Sequence, residues 1–161
     1  GVGAFDNGMR NIEERGLIPI LTQKIIEQKT PVLGICLGMQ LLTKESEEGS
    51  LTGLGFINAK VVKFQFGLDN KLLKIPHMGW NSVSIKRQSP LLHDMEENLR
   101  FYFVHSYHLV CQDSSDEILT TQHGYNFTSA IQKENIFGVQ FHPEKSHKYG
   151  MKILENFNSL N

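Results

Sequence analysis

Along the first third of the chain, apolar residues recur at helical spacing and then give way to one short unbroken apolar run. Met9 and Ile12 share a face of a segment that Asp6 can cap and Gly16 can stop. Ile18, Leu21, Ile25 and Ile26 repeat the helical period in a second segment, where Pro19 is tolerated because it sits in the first turn. Residues 31–35 follow, an apolar run bounded by Pro and Gly that suits a buried parallel strand. Residues 38–43 return to helical character, and residues 45–55 make a polar, glycine-rich loop. From residue 57 to 140 the texture changes. Residues 59–64, 72–75, 82–85, 101–104, 109–111, 118–121, 129–131 and 137–141 are short runs rich in Val, Ile, Phe and Tyr, and they read as strands. Residues 149–157 place Met151, Leu154 and Phe157 on one helical face that is predicted to pack on the sheet. With no internal repeat or linker, the pattern predicts one α/β domain over residues 1–161.

Composition narrows the picture. A chain of 161 residues can build a real core. A net charge of -1 gives neither the basic field of a nucleic-acid binder nor an acidic tail, so the ligand is expected to be small or a protein. Cys36 and Cys111 are the only cysteines, too few for a disulfide framework and suited to a reducing cytosol. No apolar run nears the ~20 residues of a membrane span, and the first residues lack a signal-peptide pattern, so a cytoplasmic protein is expected. The chain opens on a glycine-rich turn without an initiator Met, which reads as a fragment. The seven histidines show no pairing with cysteine at zinc-site spacing, and neither metal nor cofactor is expected.

The sharpest local chemistry is Gly34-Ile35-Cys36-Leu37-Gly38, placed where a buried strand hands over to a helix. That is nucleophile-elbow spacing. The turn holds the nucleophile in a strained conformation, the glycines admit neighbouring backbone, the helix N-terminus favours a thiolate, and the Leu37 N–H can donate to an oxyanion. A buried inert thiol is the plainer reading of the pentapeptide alone. A base is offered by Gly138-Val139-Gln140-Phe141-His142-Pro143-Glu144, at the end of another predicted strand. Open α/β sheets present functional groups at the carboxyl ends of their strands, so Cys36 and His142 can meet on one rim. Glu144, two residues on with Pro143 between, can hold the imidazole. Residues 1–5 form a loop whose N–H groups can face a developing oxyanion.

Six ordered segments then carry a resemblance that spans the chain: GVGAF at 1–5, LGICLGMQLL at 33–42, GLGFINAKVVKF at 53–64, IPHMGWN at 75–81, YFVHSYH at 102–108 and FGVQFHPEKS at 137–146. The sequence resembles the class I, or triad, glutamine amidotransferases, and among them the glutaminase subunits of imidazole glycerol phosphate synthases. The resemblance implies a flavodoxin-like fold, a central mostly parallel sheet flanked by helices with an additional antiparallel strand region. It implies Cys36 as nucleophile, His142 as general base and then acid, and Glu144 as its orienting group. Gly1, Val2, Gly3 and Leu37 would form the oxyanion site, although the Pro that precedes this loop in the family is absent here. Gln40, His105, Ser106 and Tyr107 would hold the substrate glutamine. Lys145 and Ser146 complete the last motif without an independent role. Pro76, Met78 and Trp80 would border the interface with a (βα)8-barrel cyclase that receives ammonia in histidine biosynthesis, in a heterodimer. Two other readings stay open: a glutaminase serving a sugar amidotransferase of bacterial surface-glycan synthesis, and a binding module without catalysis. The family's first strands and helix, which precede the oxyanion loop, fall outside this sequence, and their absence is expected to leave an open sheet edge.

Overall fold

The computed structural model describes residues 2–67, 73–95 and 98–160. Helix α1 (Phe5–Glu14) starts from Ala4 and buries Phe5 and Met9. Asp6 already lies inside the first turn and so does not cap it. Its carboxylate instead accepts the N–H groups of Ser50 and Leu51, each at 3.0 Å. Helix α2 (Leu17–Leu21) runs on into a π-type turn over Thr22–Glu27 that buries Ile25 and leaves Ile26 exposed. The wider turn rotates Ile26 off the face that regular helical spacing assigns to it.

Strand β1 (Val32–Ile35) leads through Cys36 into helix α3 (Leu37–Leu41). The remaining elements are β2 (Glu45–Ser46), β3 (Ala59–Lys63), β4 (His77–Ile85), β5 (Arg100–His105), β6 (Tyr107–Cys111), β7 (Glu117–His123), β8 (Tyr125–Lys133), β9 (Ile136–Val139) and helix α4 (His147–Asn158). The segment predicted as a polar loop at 45–55 therefore contains a short strand, β2, which joins β3 in parallel. The strand predicted at 82–85 starts earlier, at His77, while residues 73–75 are not a strand and Leu72 lies outside the described residues.

The sheet runs β2-β3-β6-β8-β7-β4-β5, with β9 beside β8 and β1 beyond β9. Among the described residues β1–β9 and β2–β3 are the parallel pairs, and the other pairs are antiparallel. The α/β class holds. The sheet is mixed rather than mostly parallel over these residues: connections of one and two residues turn β7 back onto β8 and β8 back onto β9, and the pairs β3–β6, β4–β5, β4–β7 and β6–β8 are antiparallel as well. Side chains alternate between two cores on its faces. On β8 and β9, Ala130 and Phe137 face a cluster with Phe101, Phe103, Phe141 and Ile153 of α4, whereas Ile131 and Ile136 face Met39, Leu42 and Ile25. Helix α4 turns Gly150 and Ile153 inward and leaves Met151 exposed, unlike the predicted Met151 face. A Cβ on Gly150 would stand 1.8 Å from the Pro143 carbonyl oxygen, so the helix meets the preceding turn at this residue, which fixes its rotation. Among the described residues no helix is long and apolar enough to cross a membrane.

Candidate active site

The site is built where two neighbouring parallel strands end. Ile35 of β1 stands opposite Val139 of β9. One residue past Ile35 comes Cys36, and three past Val139 comes His142, so both leave the same carboxyl rim. Cys36 holds the strained backbone of an elbow, φ 51° and ψ -109°, and its N–H donates to the Val139 carbonyl at 2.8 Å. Such a conformation costs a non-glycine residue about 1–3 kcal/mol, which the packing around it must offset. Gly34 makes that packing possible: a Cβ there would lie 2.7 Å from backbone atoms of Gly38 and Met39. Gly38, expected to serve the same purpose, has open space where its Cβ would be, so only the first glycine of the elbow is sterically required.

Cys36 is buried, and burial pushes its thiol above the ordinary range, although the Leu37 N–H and the Gln140 side chain act in the opposite direction. Gln140 Nε2 donates to Sγ at 3.5 Å, and Gln140 Oε1 accepts from Gln40 Nε2 at 3.0 Å. Gln40 Nε2 also donates to the Tyr107 carbonyl at 3.3 Å, which leaves its own carbonyl oxygen for other partners. Cys111 is the contrasting thiol: burial and the nearby Glu117 push it up to about 12.

His142 is buried, and its Nδ1 lies 2.7 Å from Glu144 Oε1. A carboxylate only accepts, so Nδ1 carries the proton, and in a neutral ring Nε2 is the lone-pair nitrogen. Among the described residues that buried Nε2 has no hydrogen-bond partner, the Cys36 thiol included. Burial acts to raise the Glu144 carboxyl, but its hydrogen bond with His142 outweighs this with smaller contributions, and the carboxyl lies below its usual range. Ser146 completes the turn, its buried hydroxyl donating to the His142 carbonyl at 2.7 Å and accepting from the Tyr102 N–H at 3.0 Å.

Beside Cys36 opens a cavity of about 280 Å³, lined by residues that include Val2, Gly3, Gln40, Glu48, His105 and Tyr107. Leu37, Pro76, Val104 and Ser106 complete the lining, so the residues expected for oxyanion and substrate binding stand on one wall system. Gly1 lies outside the described residues. Pro76 faces this cavity, while Met78 and Trp80 of β4 are 62% and 42% exposed on the outer face. Trp80 stacks on His147 with ring centroids 5.4 Å apart. Three positions of the candidate site escape the sequence reading. Glu48 places a carboxylate on the cavity wall, one oxygen accepting the Phe5 N–H at 2.8 Å. Gln140 and Ser146 are the others. The contacts of Glu48 and Gln140 span 43 and 104 positions in sequence, so no local pattern signals them. Among the described residues His, Cys, Asp and Glu form no group of three able to hold a metal ion.

The sequence profile described as Glutamine amidotransferase class-I matches residues 4–159. The chain is 60% identical over 157 residues to the imidazole glycerol phosphate synthase subunit HisH 2 of Methanococcus maripaludis, covering 98% of this chain and 76% of that protein. It is 49% identical to the imidazole glycerol phosphate synthase subunit HisH of Leptospira interrogans, over 99% of this chain and 78% of the relative. Among solved structures, a glutamine amidotransferase from Thermotoga maritima superposes with a TM-score of 0.65 at 18% identity, covering 99% of this chain and 60% of that one. One from Methylobacillus flagellatus does so with a TM-score of 0.56 at 19% identity, over 91% of this chain and 49% of the other. These two likenesses speak to the fold alone.

Proposed function

The chain belongs to the class-I glutamine amidotransferase family, and on that premise we propose that it is a glutaminase subunit of an imidazole glycerol phosphate synthase, releasing ammonia from glutamine through Cys36, His142 and Glu144. The observation that carries this is the shared rim: the strained Cys36 elbow follows β1, and the His142–Glu144 pair follows its parallel neighbour β9.

His142 Nε2 takes the thiol proton, and the sulfur attacks the side-chain amide carbon of glutamine. The negative charge that develops on the amide oxygen is met by the Leu37 N–H and by the N–H groups of Val2 and Gly3. The intermediate collapses as His142 returns its proton to the leaving nitrogen, giving ammonia and a glutamyl thioester. Water, deprotonated by His142, then cleaves the thioester to glutamate and restores the thiol. Glu144 stabilises the imidazolium in both halves. Glu48 offers the negative charge that the substrate ammonium needs, and Gln40 with residues 105–107 supplies polar groups for the rest of the amino-acid end.

Ammonia set free in water near neutral pH is mostly protonated and lost, so it must pass directly to a synthase. The outer face of β4, with Met78 and Trp80 exposed, suits a docking edge for a (βα)8-barrel partner. The relatives' names, as subunits of a synthase, support the same assembly. Cys36→Ser in the full-length chain with its synthase is expected to abolish glutamate release without unfolding the protein. A glutamine-like electrophile should modify Cys36. Modification of Cys111 with Cys36 untouched would overturn the assignment.

A further inference from the structure

Behind the cavity wall two buried histidines lie in contact, His77 of β4 and His105 at the end of β5. His77 Nδ1 and His105 Nε2 are 3.0 Å apart. The bonds at either end of this pair fix the position of every proton. His105 Nδ1 stands 2.7 Å from the Tyr107 carbonyl, which can only accept, so Nδ1 bears the hydrogen. In a neutral ring its Nε2 is then an acceptor, and His77 Nδ1 must be the donor. His77 Nε2 is left as a lone pair, and it faces the Asn81 side-chain nitrogen at 3.1 Å, a donor. Asn81 is itself anchored, donating to the Gln122 carbonyl at 2.9 Å and accepting from the Ser82 N–H at 2.8 Å. Burial holds both rings neutral, His77 down to about 4 and His105 down to about 3.

Every donor therefore points the same way, from Asn81 through His77 and His105 to the Tyr107 carbonyl. That carbonyl is a node. It also accepts from Gln40, whose amide reaches Gln140, whose amide in turn reaches Cys36 Sγ. We propose that His77 and His105 are positioning residues, a two-ring relay that fixes the Tyr107 carbonyl and, through it, the orientation of the Gln40 and Gln140 amides beside the nucleophile. The relay begins on β4, the strand that turns Met78 and Trp80 outward, so it physically joins the outer face to the sulfur. With two donors on the Tyr107 carbonyl, Gln40 is held with its N–H groups toward the protein and its carbonyl oxygen toward the cavity. Without His77, the His105 ring is free to turn over, the carbonyl loses its shorter bond, and both orientations of the Gln40 amide become accessible. The hydrogen-bond directions stand on the geometry and on the neutrality of the buried rings, and the consequence for turnover rests on the glutaminase reading above.

The test uses the full-length chain with its synthase and compares His77→Leu with His77→Asn, because an Asn amide nitrogen stands close to the place of the His Nδ1 donor. His77→Leu is expected to raise KM for glutamine about tenfold with kcat changed less than about threefold, and His77→Asn to recover most of the loss. Alkylation of Cys36 by iodoacetamide, which needs no glutamine turnover, should slow about threefold or more in the Leu variant and recover in the Asn variant. Imidazole nitrogen NMR of the unmodified protein should find the proton on Nδ1 of both His77 and His105. A proton on His105 Nε2, or an Asn variant no better than Leu in alkylation, would overturn the relay. A missing glutaminase activity in the unmodified complex would instead overturn the functional reading and leave the alkylation and NMR results to decide the relay.

Discussion

At the scale of single residues, the elbow separates two glycines that look alike in sequence. Gly34→Ala would drive a methyl into the backbone of Gly38 and Met39, neither of which can yield without moving α3. A loss of about 2–3 kcal/mol is expected, read from the denaturation midpoint of the full-length chain. Gly38→Ala points into open space within a helix and should cost nothing, or add up to about 1 kcal/mol, in the same measurement. The proposed nucleophile and its proposed base are legible because each sits in a compact local pattern at a strand end. Gln140 and Ser146 are not. A Gln inside an apolar strand run and a Ser past a Pro-Glu turn carry no periodic signal, and their meaning comes only from the sulfur, carbonyl and N–H that the fold brings to them.

At the scale of elements, β4 shows where alternation misleads. His77 is buried while Met78 and Trp80 are exposed, so the strand presents its apolar side chains outward and a polar one inward. A reading that seeks apolar residues on the core face finds only its second half, 82–85. The first half pairs with β5 and the last three residues with β7, and the inverted portion is the part that pairs with β5. Trp80→Ala should cost the fold only about 1–2 kcal/mol, because the ring is 42% exposed and loses its stack on His147, its edge contact with Tyr102 and the Arg100 guanidinium over its face. In the assembly proposed above, docking of the synthase at this edge is expected to raise the glutaminase rate, and the same variant should weaken that rise. Titrating the subunit with its synthase while following glutamate release checks this, and undiminished activation would remove Trp80 from the docking edge. Helix α4 is a parallel case: its helical period is plain in the sequence, but the face it buries is set by contact between Gly150 and the Pro143 carbonyl.

At the scale of the whole molecule, the buried neutral rings tie stability to acidity. An unfolded histidine takes up a proton near 6.5, whereas His77 and His105 in the fold resist it down to about 4 and about 3. Between those limits the unfolded chain binds more protons, so the stability is fully present above pH 6.5 and drains away as pH falls toward the folded values. At pH 5 the loss should reach up to about 2 kcal/mol per ring. Urea midpoints at pH 7.5 and 5 measure it, and His77→Asn should flatten the slope.

The paired ties between residues 5–6 and 48–51 reach further. Glu48 holds the Phe5 N–H, and Asp6 holds the Ser50 and Leu51 N–H groups, each segment gripping the other's backbone. Two hinged plates bolted at both ends behave as one lever. On the proposed reading, a movement of Val2 and Gly3 toward the amide oxygen is expected to pull on the Glu48 carboxylate through the Phe5 N–H, and an ammonium drawn to Glu48 to pull on Val2 and Gly3 in return. The proposed charge recognition at one end of the glutamine and stabilisation of its reacting end would then be geared together, so a truncated substrate that lacks the ammonium is expected to forfeit rate as well as affinity.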